Sequence, residues 1–176
     1  MKNYLITGGC GFIGSNFINF IHSKEPHSFV LNVDKLDYCA DTHNVYERDD
    51  PTRYLLVRHT ICDKYKMLRL LNEYKITHLV HFAAQSHVDS SFDRAMDYTM
   101  DNVYGTHCLL EASRVYGKLE RFIHFSTDEV YGELTFGSNQ FLPLAQQIWS
   151  IHGTTDFYRK IGPILEIHCI HIVSTL

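Results

Sequence analysis

The residues best suited to chemistry stand at Ser126-Thr127-Asp128-Glu129-Val130-Tyr131-Gly132, where a hydroxyl and two adjacent carboxylates follow the apolar run Phe122-Ile123-His124-Phe125. Carboxyl groups this close repel each other's charge, so one keeps its proton to higher pH and the pair can divide acid and base roles in one reaction. Spacing alone leaves the plainer reading open, an acidic pair capping a turn or helix after a strand. A second group lies near the start of the chain. Gly8, Gly11 and Gly14 recur every third residue after Tyr4-Leu5-Ile6-Thr7 and at the mouth of an apolar segment that begins with Phe12. Glycine lets the backbone turn tightly and approach a pyrophosphate, while the free N–H groups at a helix start favour an anion. Asp34 follows about 20 residues beyond Gly14, where a carboxylate can accept hydrogen bonds from an adenosine ribose. An acid there disfavours a 2′-phosphate, so NAD is expected over NADP, with the adjacent Lys35 blurring the preference. A solvated strand-end aspartate is the alternative.

These groups need a scaffold. Short β-rich runs at 4–7, 29–34, 54–57, 78–82 and 121–126 alternate with longer helix-compatible segments. That alternation predicts an α/β fold, a doubly wound parallel sheet of the Rossmann-like dinucleotide-binding kind. A first helix over about 11–22 would bury a wide face of Phe12, Ile13, Phe17, Ile18, Phe20 and Ile21, stopping before Pro26. A second, over 63–74, has Asp63 as N-cap and Met67, Leu68, Leu70 and Leu71 at helical spacing. A third, over 100–116, would carry Val103, His107, Leu110 and Ser113 or Arg114 along one side and end at Gly117 in a left-handed conformation. Residues 37–52 are polar and read as an irregular connection. After Leu134 periodicity lapses until a strand-like run at 164–173. The chain therefore divides into a dinucleotide-binding unit over 1–134 and a divergent tail over 135–176, irregular apart from that strand.

The 176 residues suit one domain, and 20 acidic against 16 basic residues, without a basic cluster, give no support to a nucleic-acid or anionic-membrane surface. The five cysteines are scattered without CxxC spacing, which suits reduced thiols. The twelve histidines fall into no zinc-ligand spacing, so no metal is expected. Without a leader or a run of about 20 apolar residues, the expectation is a soluble, cytoplasmic protein.

With these residues set out, the chain resembles the extended short-chain dehydrogenase/reductase family and, within it, the nucleotide-sugar 4,6-dehydratases acting on dTDP-glucose or UDP-glucose. Four segments over about 2–134 carry the resemblance: 7–15, Asn32-Val33-Asp34-Lys35-Leu36, His81-Phe82-Ala83-Ala84-Gln85-Ser86-His87-Val88-Asp89, and 125–132. The resemblance implies that Gly8, Gly11, Phe12, Ile13 and Gly14 meet the cofactor pyrophosphate region and that Asp34, Lys35, Leu36 and Asp37 line its adenosine side. Phe82, Ala83, Ala84 and Gln85 would pass beneath the nicotinamide half, Ile61 would lie at the adenine, and Ser86 would touch sugar or cofactor. Close packing of Ala83-Ala84 and structural roles for His87 and Asp89 remain open. The implied reaction oxidises a nucleoside-diphosphate-glucose at C4, eliminates water across C5 and C6, and returns hydride to C6. Glu129 would be the base at C5, Asp128 the acid at the departing hydroxyl, and Thr127 a hydrogen bonder to the C4 oxygen.

The chain departs from the family pattern in three places. Thr60 stands where an aspartate usually precedes Ile61, and Asp101 replaces a threonine. The Tyr-x-x-x-Lys pair that should take the C4 hydroxyl proton is missing: no tyrosine here has a lysine four residues later, and the tail offers Tyr158 and Lys160, two apart. The expectation is a chain truncated or frame-shifted after about residue 134, without the C-terminal substrate domain. Three readings follow: a 4,6-dehydratase by lineage, a non-catalytic NAD-binding module, or an inactive fragment. A nucleotide-sugar 4-epimerase is a further alternative, disfavoured by the adjacent carboxylates. Relatives imply a homodimer formed through helices near Met100.

Overall fold

The computed structural model describes residues 1–127 and 165–170, with 88–90, 127 and 165–170 described by their backbone alone. Six strands, β1 (Asn3–Thr7), β2 (Phe29–Asp34), β3 (Tyr54–Arg58), β4 (His78–His81), β5 (Arg121–Thr127) and β6 (Leu165–Ile170), form one sheet in the order β3-β2-β1-β4-β5-β6. Every pairing is parallel. A parallel sheet has to be covered on both faces, and the strand sequences supply apolar side chains to each. Leu5, Leu31, Val33, Leu79 and Phe122 point to one side, against Met67, Leu70 and Leu71 of α2 (Lys64–Glu73). Tyr4, Ile6, Val30 and Val80 point to the other, against Ile18 and Ile21 of α1 (Phe12–Lys24). From β1 the chain winds outward to β2 and β3, then returns to place β4 on β1's other side. The order reverses between β1 and β4, and the crevice at their carboxyl ends is where such sheets receive ligands.

The strand beginning near 164 pairs along β5 and covers that edge. Asp63 caps α2, accepting from the Lys66 amide at 2.9 Å. The face expected of α1 is corrected. Ile18 and Ile21 are buried as expected, but Phe12 is 82% and Phe20 54% exposed, and Gly14, Ser15 and His22 complete the buried face. Its first turn is pressed onto the glycine loop, where a Cβ on Gly14 would lie 2.3 Å from the Gly8 carbonyl oxygen, so small residues occupy the contact and phenylalanine cannot.

The helix expected over 100–116 is also two things. Short helices α3 (Val88–Asp93) and α4 (Ala95–Tyr98) lead into a π-helical stretch, Thr99–Gly105, followed by α5 (Thr106–Tyr116). The wider π turn shifts the phase of the buried face. Val103 is left exposed, and the buried stripe of α5 runs through Thr106, Leu109, Leu110, Ser113 and Tyr116. Gly117 ends it with φ 64°. Residues 37–52 carry a single 3-10 turn, Thr42–Asn44. Among the described residues no helix is long and apolar enough to cross a membrane. The boundary expected at 134 lies outside the described residues.

Candidate functional site

The loop from β1 into α1 lies directly on the end of β4. Gly8 has φ 71°, and a Cβ there would stand 2.7 Å from the Ala83 backbone, so both the conformation and the approach require glycine. Its amide donates to the Val33 carbonyl at 3.0 Å, and the Gly11 amide donates to Gly8 at 3.2 Å. Asn32, in the middle of β2, braces the loop from below. Its Oδ1 accepts from the Gly9 amide at 3.1 Å, and its Nδ2 donates to the Tyr54 hydroxyl at 2.9 Å. Burial, with the nearby Asp34 charge, pushes the Cys10 thiol up to about 11, so it serves as packing and not as a nucleophile.

Asp34 ends β2 facing this loop. Its Oδ2 accepts from the Cys10 amide at 2.9 Å and its Oδ1 from the Leu36 amide at 2.8 Å. Two backbone donors thus fix the carboxylate's orientation while it retains lone pairs for further donors. Leu36 adopts φ 60°, uncommon for a residue with a side chain, which turns the chain sharply after Lys35. Lys35 Nζ lies 2.9 Å from Asp37 Oδ2 and 2.5 Å from Asp101 Oδ2. Gln85 Nε2 donates to the same two oxygens at 2.8 and 2.9 Å. Asn102 clamps the Gln85 backbone, accepting from its amide at 2.7 Å and donating to its carbonyl at 2.9 Å. The Lys35 and Gln85 donors, with the Tyr38 amide, hold the Asp37 carboxyl well below the usual range. Partial burial works against the Lys35 charge, but Asp101 and Asp37 prevail and raise it. This network joins the β2 end of the crevice to the β4 end.

The remaining expected residues divide. Phe12 and Ile13 stand exposed at the first turn of α1, beside the cradle. Phe82 stacks on Phe125 with ring centroids 4.3 Å apart, and Ala84 and Ser86 are exposed beyond it. The Ile61 side chain is 6% exposed and packs among core residues of α2 and α5, close against Gly105. Thr60, in the place of an expected carboxylate, accepts from the Cys62 amide at 3.2 Å. Thr127 ends β5, in register with Ile170, which sets its backbone at the carboxyl rim of the sheet. Asp128 and Glu129 lie outside the described residues.

Under the β4 and β5 ends lies a buried polar group with no counterpart among the expected site residues. His81 shares hydrogen bonds with Thr7 Oγ1 at 2.7 Å through Nδ1 and with Thr106 Oγ1 at 2.9 Å through Nε2. The His124 ring lies 4.9 Å away, and its buried Nδ1 has no hydrogen-bond partner among the described residues. Burial, with His124 nearby, holds His81 well below its usual value, and burial pushes His124 down to about 4. Both rings are therefore neutral near pH 7. The bracing roles of Asn32, Tyr54 and Asn102 escaped sequence reading, and so did the pairing of the two histidines across β4 and β5. For Asn32, His81 and His124, a polar residue inside an otherwise apolar strand was the available signal.

Comparison with known proteins adds to this geometry. The family model described as GDP-mannose 4,6 dehydratase matches residues 5–140. The dTDP-D-glucose 4,6-dehydratase of Homo sapiens is 44% identical over 131 residues, a match covering 74% of this chain and 37% of that protein. A trifunctional enzyme of Arabidopsis thaliana, with UDP-glucose 4,6-dehydratase as its first named activity, is 45% identical over 132 residues, or 75% of this chain and 20% of its own length. The crystal structure of DesIV, a dTDP-glucose 4,6-dehydratase from Streptomyces venezuelae with NAD bound, superposes with a TM-score of 0.75 at 33% identity and covers 97% of this chain and 55% of that one. The chain thus spans little more than a third of the human relative's length.

Proposed function

The chain belongs to the GDP-mannose 4,6 dehydratase family, among the nucleotide-sugar 4,6-dehydratases of the short-chain dehydrogenase/reductase type, and we propose that it holds NAD and derives from enzymes converting a nucleoside-diphosphate-glucose to its 4-keto-6-deoxy sugar. One observation carries this reading: the glycine loop, pressed onto β4 at the point where the strand order reverses, with the Asp34 carboxylate fixed at the end of β2. A pyrophosphate fits over the loop and the first turn of α1 at Gly11, Phe12 and Ile13, where the helix N–H groups favour an anion. Asp34 would then accept hydrogen bonds from the adenosine ribose. Phe82, Ala83, Ala84 and Gln85 would hold the nicotinamide half, with Ser86 toward the sugar. Bound there, the nicotinamide would take hydride from sugar C4 and return it at C6.

The chain's own contribution to elimination rests on residues 127 to 129. Thr127 would donate to the C4 oxygen, Glu129 would take the C5 proton acidified by the C4 ketone, and Asp128 would protonate the departing C6 hydroxyl. Residues 1–134 form the dinucleotide-binding unit in this reading. The free thiols Cys10, Cys39, Cys62 and Cys108 suit a reducing cytoplasm. Phe92, Met96, Met100, Val103 and Tyr104 are all at least 43% exposed along α3, α4 and the π-helical stretch, and this apolar row supports a homodimer.

A second reading, an NAD-binding module without turnover, is favoured by one fact. No tyrosine among the 176 residues is followed four positions later by lysine, so the proton acceptor for C4 oxidation has no candidate. Incubating the purified chain and NAD with dTDP-glucose and, separately, UDP-glucose, and assaying 4-keto-6-deoxy product, decides between the two. Product formation with either sugar establishes the dehydratase. NAD binding without product establishes the module.

A further inference from the structure

We propose that Asp101 is a specificity-determining, positioning residue: together with Asp37 it holds the Lys35 ammonium on the far side of the β2 turn, leaving the Asp34 carboxylate to meet the ribose, and so sets a preference for NAD over its 2′-phosphorylated form. The proposal rests on the cofactor reading above and concerns a residue that this reading does not use.

Lys35 directly follows the carboxylate that would bind the ribose hydroxyls. A free ammonium at that place is the natural partner for a 2′-phosphate, which carries close to two negative charges near pH 7. In this molecule the ammonium is taken. Asp101 Oδ2 stands 2.5 Å and Asp37 Oδ2 2.9 Å from Nζ, and Gln85 Nε2 donates to both oxygens, so the carboxylates are locked in the arrangement that captures the lysine. The turn at Leu36, with φ 60°, brings Asp37 back alongside Lys35. Asp101 arrives from elsewhere, on the π-helical stretch Thr99–Gly105, which also supplies Asn102 to clamp Gln85. Two carboxylates, Asp37 and Asp101, hold the one ammonium, Asp34 keeps its own charge at the end of β2, and the added phosphate would meet net negative charge. Arg58, opposite Asp34 in the β2–β3 register, and Arg94, whose charge reaches Asp37, are further cations at this end and stay constant in the comparison below.

The test is calorimetric titration of the full chain with NAD and with NADP. In Asp101→Asn, which keeps the size of the side chain and loses its charge, the NADP-to-NAD affinity ratio should rise about three- to tenfold, the range expected when one partly exposed ion pair is released. Asp101→Thr should move the ratio in the same direction. Adding Lys35→Met to Asp101→Asn should return the ratio to the original value or below. A purely structural role for Asp101 would weaken both dinucleotides equally. An unchanged ratio in both Asp101 variants, or a raised ratio that survives Lys35→Met, overturns the proposal while the cofactor reading stands. Binding of neither dinucleotide to the folded original chain overturns the cofactor reading, and this proposal with it.

Discussion

The two ends of the crevice are built from different materials. At the β1–β2 end, the glycine loop is held by its backbone: amides donate to Val33, Asn32 and Asp34, and glycines stand where a Cβ would collide. At the β4–β5 end, the supports are buried side chains, with His81 held between Thr7 and Thr106 and its ring tilted beside that of His124. A backbone cradle depends on shape and is indifferent to pH. A buried imidazole pair depends on protonation and has to stay neutral. The contrast teaches that one sheet can offer a rigid backbone loop and a titratable floor a few residues apart, and each fails in its own way.

The largest expected effect falls on the cradle. Gly8→Ala would force a Cβ to 2.7 Å from the Ala83 backbone at a φ of 71°. A loss of roughly 3 kcal/mol is expected, combining backbone strain with overpacking, together with loss of dinucleotide binding. Urea unfolding and calorimetry check the two parts, and near-native behaviour would dissolve the distinction between the two ends.

The floor should answer to acid instead. A buried histidine with a lowered value binds its proton less readily folded than unfolded, so stability is fully present above the unfolded value near 6.5 and falls as pH drops toward His124's value of about 4. For His124 the loss should approach about 3 kcal/mol, with His81 adding in the same direction. Unfolding midpoints between pH 7.5 and 4.5 measure it, and His124→Gln should flatten the slope. An equally steep slope in that variant would assign the acid response to other groups.

A smaller effect isolates one support. Thr106→Val removes the partner of His81 Nε2 inside the core and should cost about 1–2 kcal/mol without altering NAD affinity, as unfolding and titration would show. Smallest is a pair outside both ends. Lys2 and Glu25, 2.6 Å apart at the surface, should contribute about 0.5 kcal/mol or less, screened by salt, so Lys2→Ala should leave both unfolding and binding nearly unchanged.

Much of this architecture was legible in the sequence because it follows local rules. The strand runs, the glycine spacing, Asp63 as a cap and Gly117 as a left-handed stop each depend on a few neighbouring residues. The faces of α1 and of the segment after Met100 did not read correctly. What α1 buries is decided by how tightly it sits on the glycine loop, and a π-helical turn breaks the count on which periodicity relies. The candidate site shows the same split. Asp34 was found from its distance to Gly14, whereas the embrace of Lys35 by Asp101 links positions 66 residues apart and has no local signature. Asp101 stood out as a departure from the family pattern, but its partner was invisible until the sheet brought the two together. Asn32 and His81 were hidden for a related reason: in strands that otherwise read as apolar, spacing does not tell a polar residue that braces a loop from one facing solvent.

The central claim is that the backbone cradle at the β1–β4 switch point holds a dinucleotide. Calorimetric titration of the folded chain with NAD, with Gly8→Ala in parallel, tests it most directly. The account predicts saturable binding at one site per chain that disappears in Gly8→Ala. A chain that keeps its folded circular dichroism and binds no NAD, or binds it equally well in the variant, would contradict it.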